Sequence, residues 1–262
     1  MDRKTIPVLN DERVAIQIVP EYRAAKKFVP LIEEYKTRHQ LLITVDDDFY
    51  YAQNLLETLV DAFLKMNQDP NHKRAVGILG YRLNEDLSWG QSMTSDAWWK
   101  FSEFSYYYIR GFRIAEPYQV AVTTGGGGVC MDSYWFKDAN PPISDFSRAP
   151  EHAKIVDDIW MNGYFSKLGI ERFVVPIQDQ AIGVVRKSVV EDKLSSTSSM
   201  DRYTANNNMI QYFKEYFEKD KMIYLTGGRN APKYRWWIYI GVVEPVKEWV
   251  SRLWIDYKFP RH

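Results

Sequence analysis

The sequence predicts an α/β domain with a mostly parallel, Rossmann-like sheet flanked by helices. Three observations carry this expectation. Short apolar runs alternate with stretches of helical periodicity, turn-forming residues separate them, and one apolar run over residues 41–45 ends in Asp46, Asp47 and Asp48. In open α/β sheets the carboxyl ends of strands are where ligands bind, so the third observation bears on function as well as on fold.

Residues 14–19 read as a strand closed by Pro20. Residues 24–35 read as a helix, with Phe28, Leu31, Ile32 and Tyr35 at helical spacing. After the strand at 41–45, Asn54 stands where it can cap a helix over residues 55–66, whose Leu55, Leu56, Leu59, Ala62, Phe63 and Met66 share one face. Gln68, Asp69, Pro70 and Asn71 end that helix, and residues 75–79 return as a strand. Aromatic residues crowd positions 84–118 without a clean period, as in an insertion. Residues 120–122 then form a strand leading into Gly125, Gly126, Gly127 and Gly128. Residues 155–168 predict a helix with Gly169 at its C-terminal cap, and residues 173–175 the strand after it. The polar residues 187–208 read as a mobile loop or lid before a helix over 209–217. The expected organisation is a core over residues 1–185 and a C-terminal part over residues 186–262, made of this loop, the helix and an aromatic tail packed on the core.

Composition excludes several classes. Lysine plus arginine and aspartate plus glutamate each total 34, so no global field recruits nucleic acid. The single cysteine, Cys130, rules out an intrachain disulfide and a thiolate metal cluster, which suits a reducing compartment or a lumenal protein that needs no bridge. No apolar stretch approaches the roughly 20 residues that span a bilayer, and Met1-Asp2-Arg3-Lys4 lacks the apolar core of a secretory signal. The expected location is cytoplasmic. The tail around Trp236, Trp237, Trp249 and Trp254, flanked by basic residues, can lie peripherally on a membrane interface, pack on its own domain, or join a second copy in a homo-oligomer. Aromatic residues make up 15% of the chain, more than a core needs, which leaves some for flat ligands such as bases and sugar rings.

Three adjacent carboxylates repel one another unless a cation or a ring of donors compensates them. In an extended chain Asp46 and Asp48 share a face while Asp47 points away. Their hard oxygens suit Mg²⁺ or Mn²⁺, ions usually held by one or two carboxylates with phosphate oxygens completing the shell. A solvated acidic loop is the plain alternative, although such a loop has no need of an apolar strand running into it. The four glycines spell neither a dinucleotide fingerprint nor a phosphate-binding loop with its Lys-Ser/Thr. They fit either a tight turn or a close approach of bare main chain to a ligand. Asp157 and Asp158 open the helix that follows; capping alone would explain them, and so would a carboxylate that takes a proton.

Taken in order, ITVDDDFYY, TGGGGVCM and VDDIWMNGYFSKLGI resemble the nucleotide-sugar-dependent glycosyltransferases of GT-A fold, particularly microbial and viral polysaccharide enzymes. The resemblance runs from about Val14 to Val175, and its last motif is the most specific, with Trp160, Gly163, Tyr164 and Gly169 all in register. It implies that Asp46 and Asp48 hold Mn²⁺ or Mg²⁺, that Asp46 and Asp47 contact the nucleotide, that Gly126 and Gly127 border the sugar, and that Asp158 is the base with Asp157 beside it. Its donor would be a UDP- or GDP-linked sugar and its acceptor a glycan or glycoconjugate, with inversion the expected outcome. Glu21 to Lys27 resembles the family's D-Y-G-P-A-x-K, with Arg23 and Ala24 in place of Gly-Pro, and places Lys27 near the donor; Arg82, after a strand, is a further candidate for the donor. Members normally have another strand and helix before the equivalent of residue 14, so the fold is expected to be shortened at its N-terminus. None of His39, His72, His152 and His262 stands in a ligand-like setting, and phosphate and water would complete the metal shell. Two alternatives stay open: a metal-dependent nucleotidyltransferase using the same carboxylates, and a noncatalytic carbohydrate-binding or scaffold protein derived from such an enzyme.

Overall fold

In a computed structural model of the chain, residues 11–46, 49–83, 86–89, 108–151, 153–177, 182–184 and 202–219 are described. Asp47, Asp48, most of the aromatic insertion, residues 187–201 of the expected loop and the aromatic tail lie outside them.

Residues 14–19, expected as a strand, form no ladder. Ile18 is fully exposed, and among the described residues no strand pairs with this stretch. The expected helix over 24–35 is divided into a 3₁₀ turn, Arg23–Lys27, and helix α1, Val29–Tyr35. Pro30 accounts for the division: it has no amide hydrogen to donate, and its ring excludes the carbonyl four residues back, so α-geometry begins just ahead of it.

Strand β1, Leu41–Thr44, turns Leu42 and Thr44 inward. It is followed by β2, Phe49–Tyr51, and by helix α2, Leu55–Met66. Leu55, Leu59 and Phe63 of α2 pack on Val76, Ile78 and Cys130 of the sheet, whereas Leu56, expected on the same face, is exposed. The expected strand over 75–79 is two strands in two sheets, β3 at Arg74–Gly77 and β4 at Leu79–Tyr81. The chain continues through β5 (Tyr108–Arg110), β6 (Tyr118–Gln119), β7 (Val122–Thr123), a 3₁₀ turn over Gly125–Gly127 and β8 (Val129–Asp132). Helix α3 (Asp157–Lys167), β9 (Glu171–Val174), β10 (Ile182–Val184), α4 (Arg202–Tyr212) and α5 (Lys214–Phe217) complete it.

The sheet is mixed, which corrects the expectation of a mostly parallel one. Its order is β1-β8-β3-β9-β6, and only β3 and β9 pair in parallel. The cause is the path of the chain. After β3 it builds a separate three-stranded sheet, β5-β4-β7, adding edge strand β6 to the main sheet on the way, and returns to the middle of the main sheet at β8 in the reverse direction. Strand β8 thus slots between β1 and β3, with Cys130 opposite both Ile43 and Val76. Burial pushes the Cys130 thiol up to about 12, so it is a core residue and no nucleophile.

The second core gathers Phe28, at the N-cap of α1, and Ile32 within it, Trp160 and Tyr164 of α3, and, from the C-terminal part, Met209 of α4, Phe213 at the junction of α4 and α5, and Phe217 of α5. Trp160 donates from Nε1 to the Ile143 carbonyl at 2.9 Å and stacks on Phe146 at 4.5 Å. Gly169 has the positive φ of 66° that a helix cap of this kind needs. Helix α4 begins at Arg202, so Asn206, Asn207 and Asn208, expected in a loop, are helical. Asn207 is engaged there: its Oδ1 accepts from the Trp89 amide at 2.8 Å and its Nδ2 donates to the Tyr203 carbonyl at 3.1 Å. No helix among the described residues is long and apolar enough to cross a membrane.

Gly163 lets α3 and Phe213 meet, since a Cβ there would collide with the Phe213 ring. Gly163→Ala is expected to cost about 1–3 kcal/mol by overpacking. In thermal melts, Gly163→Ala/Phe213→Leu should recover part of the loss; equal melting of the single variant and the parent would refute the contact.

Candidate functional site

The chain leaves β1 at Thr44 and reaches Asp46 two residues on. Tyr51 pins that point: the Asp46 amide donates to Tyr51 Oη at 2.8 Å, and Oη donates to the Asp46 carbonyl at 3.3 Å. With its backbone held, Asp46 turns Oδ1 to Lys27 Nζ at 2.7 Å.

Lys27 arrives from the end of the 3₁₀ turn. Its ammonium also lies 2.7 Å from Asp157 Oδ2 and 3.6 Å from Asp158 Oδ1. The approach to Asp157 is that of an ion pair without the alignment of a hydrogen bond. Asp158 Oδ1 is held from another side by the Gly125 amide, which donates to it at 2.9 Å. A Cβ at Gly125 would collide with Lys27 Nζ and stand 3.1 Å from Asp46 Oδ1, so the bare main chain there makes room for the cluster.

The four glycines divide by role. Gly126 lies under the Phe49 ring, where a Cβ would come within 2.9 Å of Cζ and 3.5 Å of Asp46 Oδ2. Gly127 faces the opposite way: a Cβ there would meet the Leu79 amide nitrogen at 2.7 Å, so its bareness serves the packing of the turn on β4. Arg82, the other residue expected near a donor, follows directly on β4 and is buried with its guanidinium 5.6 Å from the Tyr118 ring of β6. Lys27, Asp46, Gly125, Asp157 and Asp158 are thus brought together; the contact described for Arg82 is elsewhere.

Two positioning residues escape a reading of the sequence. Asn162 fills its full hydrogen-bonding capacity on neighbouring main chain and Thr123. Its Oδ1 accepts from the Thr123 amide at 2.9 Å and hydroxyl at 3.0 Å, and its Nδ2 donates to the carbonyls of Thr123 at 2.8 Å and Asp158 at 2.6 Å. This locks the first turn of α3 onto β7, two residues before Gly125. The signal was a lone amide in the apolar run from Ile159 to Phe165, since a buried amide needs partners. Tyr51 is the second, and its signal is weaker: one phenol among three aromatic residues after the acidic triplet.

Electrostatics follow from the imbalance of three carboxylates around one ammonium, a formal charge of −2. Burial alone would lower the Lys27 pKa, but the charges of Asp158, Asp157 and Asp46 outweigh it and raise it. The Asp157 carboxyl is pushed up to about 6, first by burial and then by the charge of Asp158, with Lys27 acting in the opposite direction. Among the described residues no group of three or more His, Cys, Asp or Glu side chains is arranged to hold a metal ion, and the cation on which these three carboxylates converge is the Lys27 ammonium.

Comparison with known proteins finds no matching family model and no matching curated sequence.

Two outcomes are expected. A carboxyl whose pKa is raised on folding holds its proton more tightly in the native state, so the stability it contributes is complete below its unfolded value of 3.8 and is lost as pH rises through about 6. Asp157→Asn removes that titration, and urea melts should show the variant gaining on the parent between about pH 4 and about pH 7. A difference that does not change with pH would mean that Asp157 is ionised throughout. Asn162→Ala leaves the buried Thr123 amide without this partner and should cost about 1–3 kcal/mol in the same melts.

Proposed function

We propose that the chain is a metal-dependent glycosyltransferase of GT-A fold that moves a sugar from a UDP- or GDP-linked donor to a hydroxyl of a glycan or other acceptor. One observation carries this reading. Lys27, Asp46, Gly125 and the Asp157–Asp158 pair come from four segments far apart in sequence, and they meet at one point. These are the segments in which the sequence resembles that family, and a chance resemblance would give them no reason to meet.

The residues suit a divalent cation. The cluster keeps a negative charge after Lys27 is counted, and its donors are hard carboxylate oxygens. Asp46 would hold the ion, joined by Asp48 if the acidic triplet acts as the resemblance implies. A cation bound there would neutralise charge on the diphosphate as it departs.

Asp158 is assigned the base. A fifth of its side chain is accessible, 20% against 5% for Asp157, and the Gly125 amide and Asn162 fix its position. Its carboxylate takes the proton of the acceptor hydroxyl as that oxygen bonds to the anomeric carbon. The bond from this carbon to the diphosphate breaks on the opposite face, the electron pair leaves with the nucleoside diphosphate, and the configuration inverts. Asp157, buried, serves to hold Lys27.

Melting curves with UDP, GDP and their sugar conjugates, with Mn²⁺, with Mg²⁺ and with chelator, test the reading. One nucleotide should raise the melting temperature with metal and not with chelator, and Asp46→Ala should lose the effect. Asp158→Asn should keep the shift while transfer falls by about 10²–10⁴. Normal transfer by Asp158→Asn removes that residue from the mechanism, and release of pyrophosphate in place of nucleoside diphosphate would mark a nucleotidyltransferase.

A further inference from the structure

We propose that Lys27 is the resident counter-cation of the carboxylate cluster and couples metal binding to diphosphate binding. A divalent cation enters the cluster fully only when a diphosphate is present to accept the displaced ammonium. The inference rests on the metal-dependent reading above and assigns Lys27 a different task from direct capture of the donor.

The seat of the ammonium is built. Nζ has three N–H donors and lies 2.7 Å from Asp46 Oδ1, 2.7 Å from Asp157 Oδ2 and 3.6 Å from Asp158 Oδ1. The volume it fills exists because residue 125 is glycine. Asp46 Oδ1 is therefore already occupied by a positive charge at contact distance. A divalent ion arriving at Asp46 would sit within a few ångströms of that charge, in a site only partly reached by water, where the repulsion is weakly screened.

Lys27 is at the last position of its 3₁₀ turn and reaches the cluster on a flexible four-carbon stem. Moved off Asp46, the ammonium still has Asp157 and Asp158, which keep it within a few ångströms of the incoming ion and so maintain the repulsion. A diphosphate draws it further away and supplies new oxygen ligands for the ion at the same time. By linkage, whatever the nucleotide adds to metal affinity the metal adds to nucleotide affinity. Lys27 is thus a positioning residue whose removal should strengthen binding of the metal alone, the opposite of what a structural ion pair or a simple phosphate clamp predicts.

The test measures binding of Mn²⁺ alone from the resonance of the free ion, then adds UDP or GDP. Lys27→Met should bind Mn²⁺ alone at least about tenfold more tightly than the parent, and the gain on adding nucleotide should shrink correspondingly. Because Lys27→Met leaves three carboxylates around an apolar chain and can fail to fold, Lys27→Met/Asp157→Asn is measured beside it. This double variant carries the same formal charge of −2 as the parent cluster, so tighter Mn²⁺ binding by it isolates obstruction by the ammonium from overall charge. The proposal is overturned if the folded variants bind Mn²⁺ alone no more tightly than the parent while Asp46→Asn abolishes binding. Failure of every protein to bind Mn²⁺, with or without UDP or GDP, would remove the metal-dependent reading and the coupling with it.

Discussion

An ammonium set among three carboxylates is the constraint on which the geometry around it depends. Charges drawn partly out of water are costly unless each is met by the other sign or by a hydrogen bond, and here one positive group must serve three negative ones. The surroundings supply the rest. The first turn of α3 brings amide dipoles to Asp157 and Asp158, the Gly125 amide donates to Asp158, and Tyr51 holds the main chain of Asp46. None of these partners is close to another in sequence, so the cluster forms only when the core is complete.

The cluster also lies where the sheets exchange strands. Asp46 stands between β1 of the five-stranded sheet and β2, which pairs with β10. The glycine turn carries the chain from β7 of the three-stranded sheet to β8 of the main one. A corner between sheets exposes main-chain amides that a continuous strand would spend on its ladder. It also needs residues without side chains wherever two backbones come close, and Gly125 and Gly127 answer these two needs separately: the cluster on one side, β4 on the other.

Much of this was legible in the sequence. The strand before Asp46, the helix Leu55–Met66 and the helix behind Asp157 follow from apolar period and capping chemistry, which are local. The direction of pairing was not legible, because an apolar run does not encode whether its neighbour runs with or against it. The reversal of β8 is set by the detour through the small sheet. Residues 14–19 have the alternation of a strand but, among the described residues, no strand pairs with them, so propensity alone did not make one. The three consecutive asparagines read as a loop by composition, yet the apolar contacts of Ala205, Met209 and Phe213 with α3 carry them into a helix. In the site itself the chemically distinctive residues were visible, while the residues that orient them, Asn162 and Tyr51, are ordinary until their partners are known.

The position of Cys130 makes the molecule its own reporter of unfolding. The only thiol in the chain is buried in the strand held on both sides, by β1 and by β3, beneath the α2 residues Leu55 and Leu59. A thiol reagent can reach it only when α2 lifts off the sheet or the strand itself is released, and either is an opening of the core and not a fraying of its rim. The rate of labelling therefore measures how often the core comes apart, with no engineered probe and no second cysteine to confuse the count.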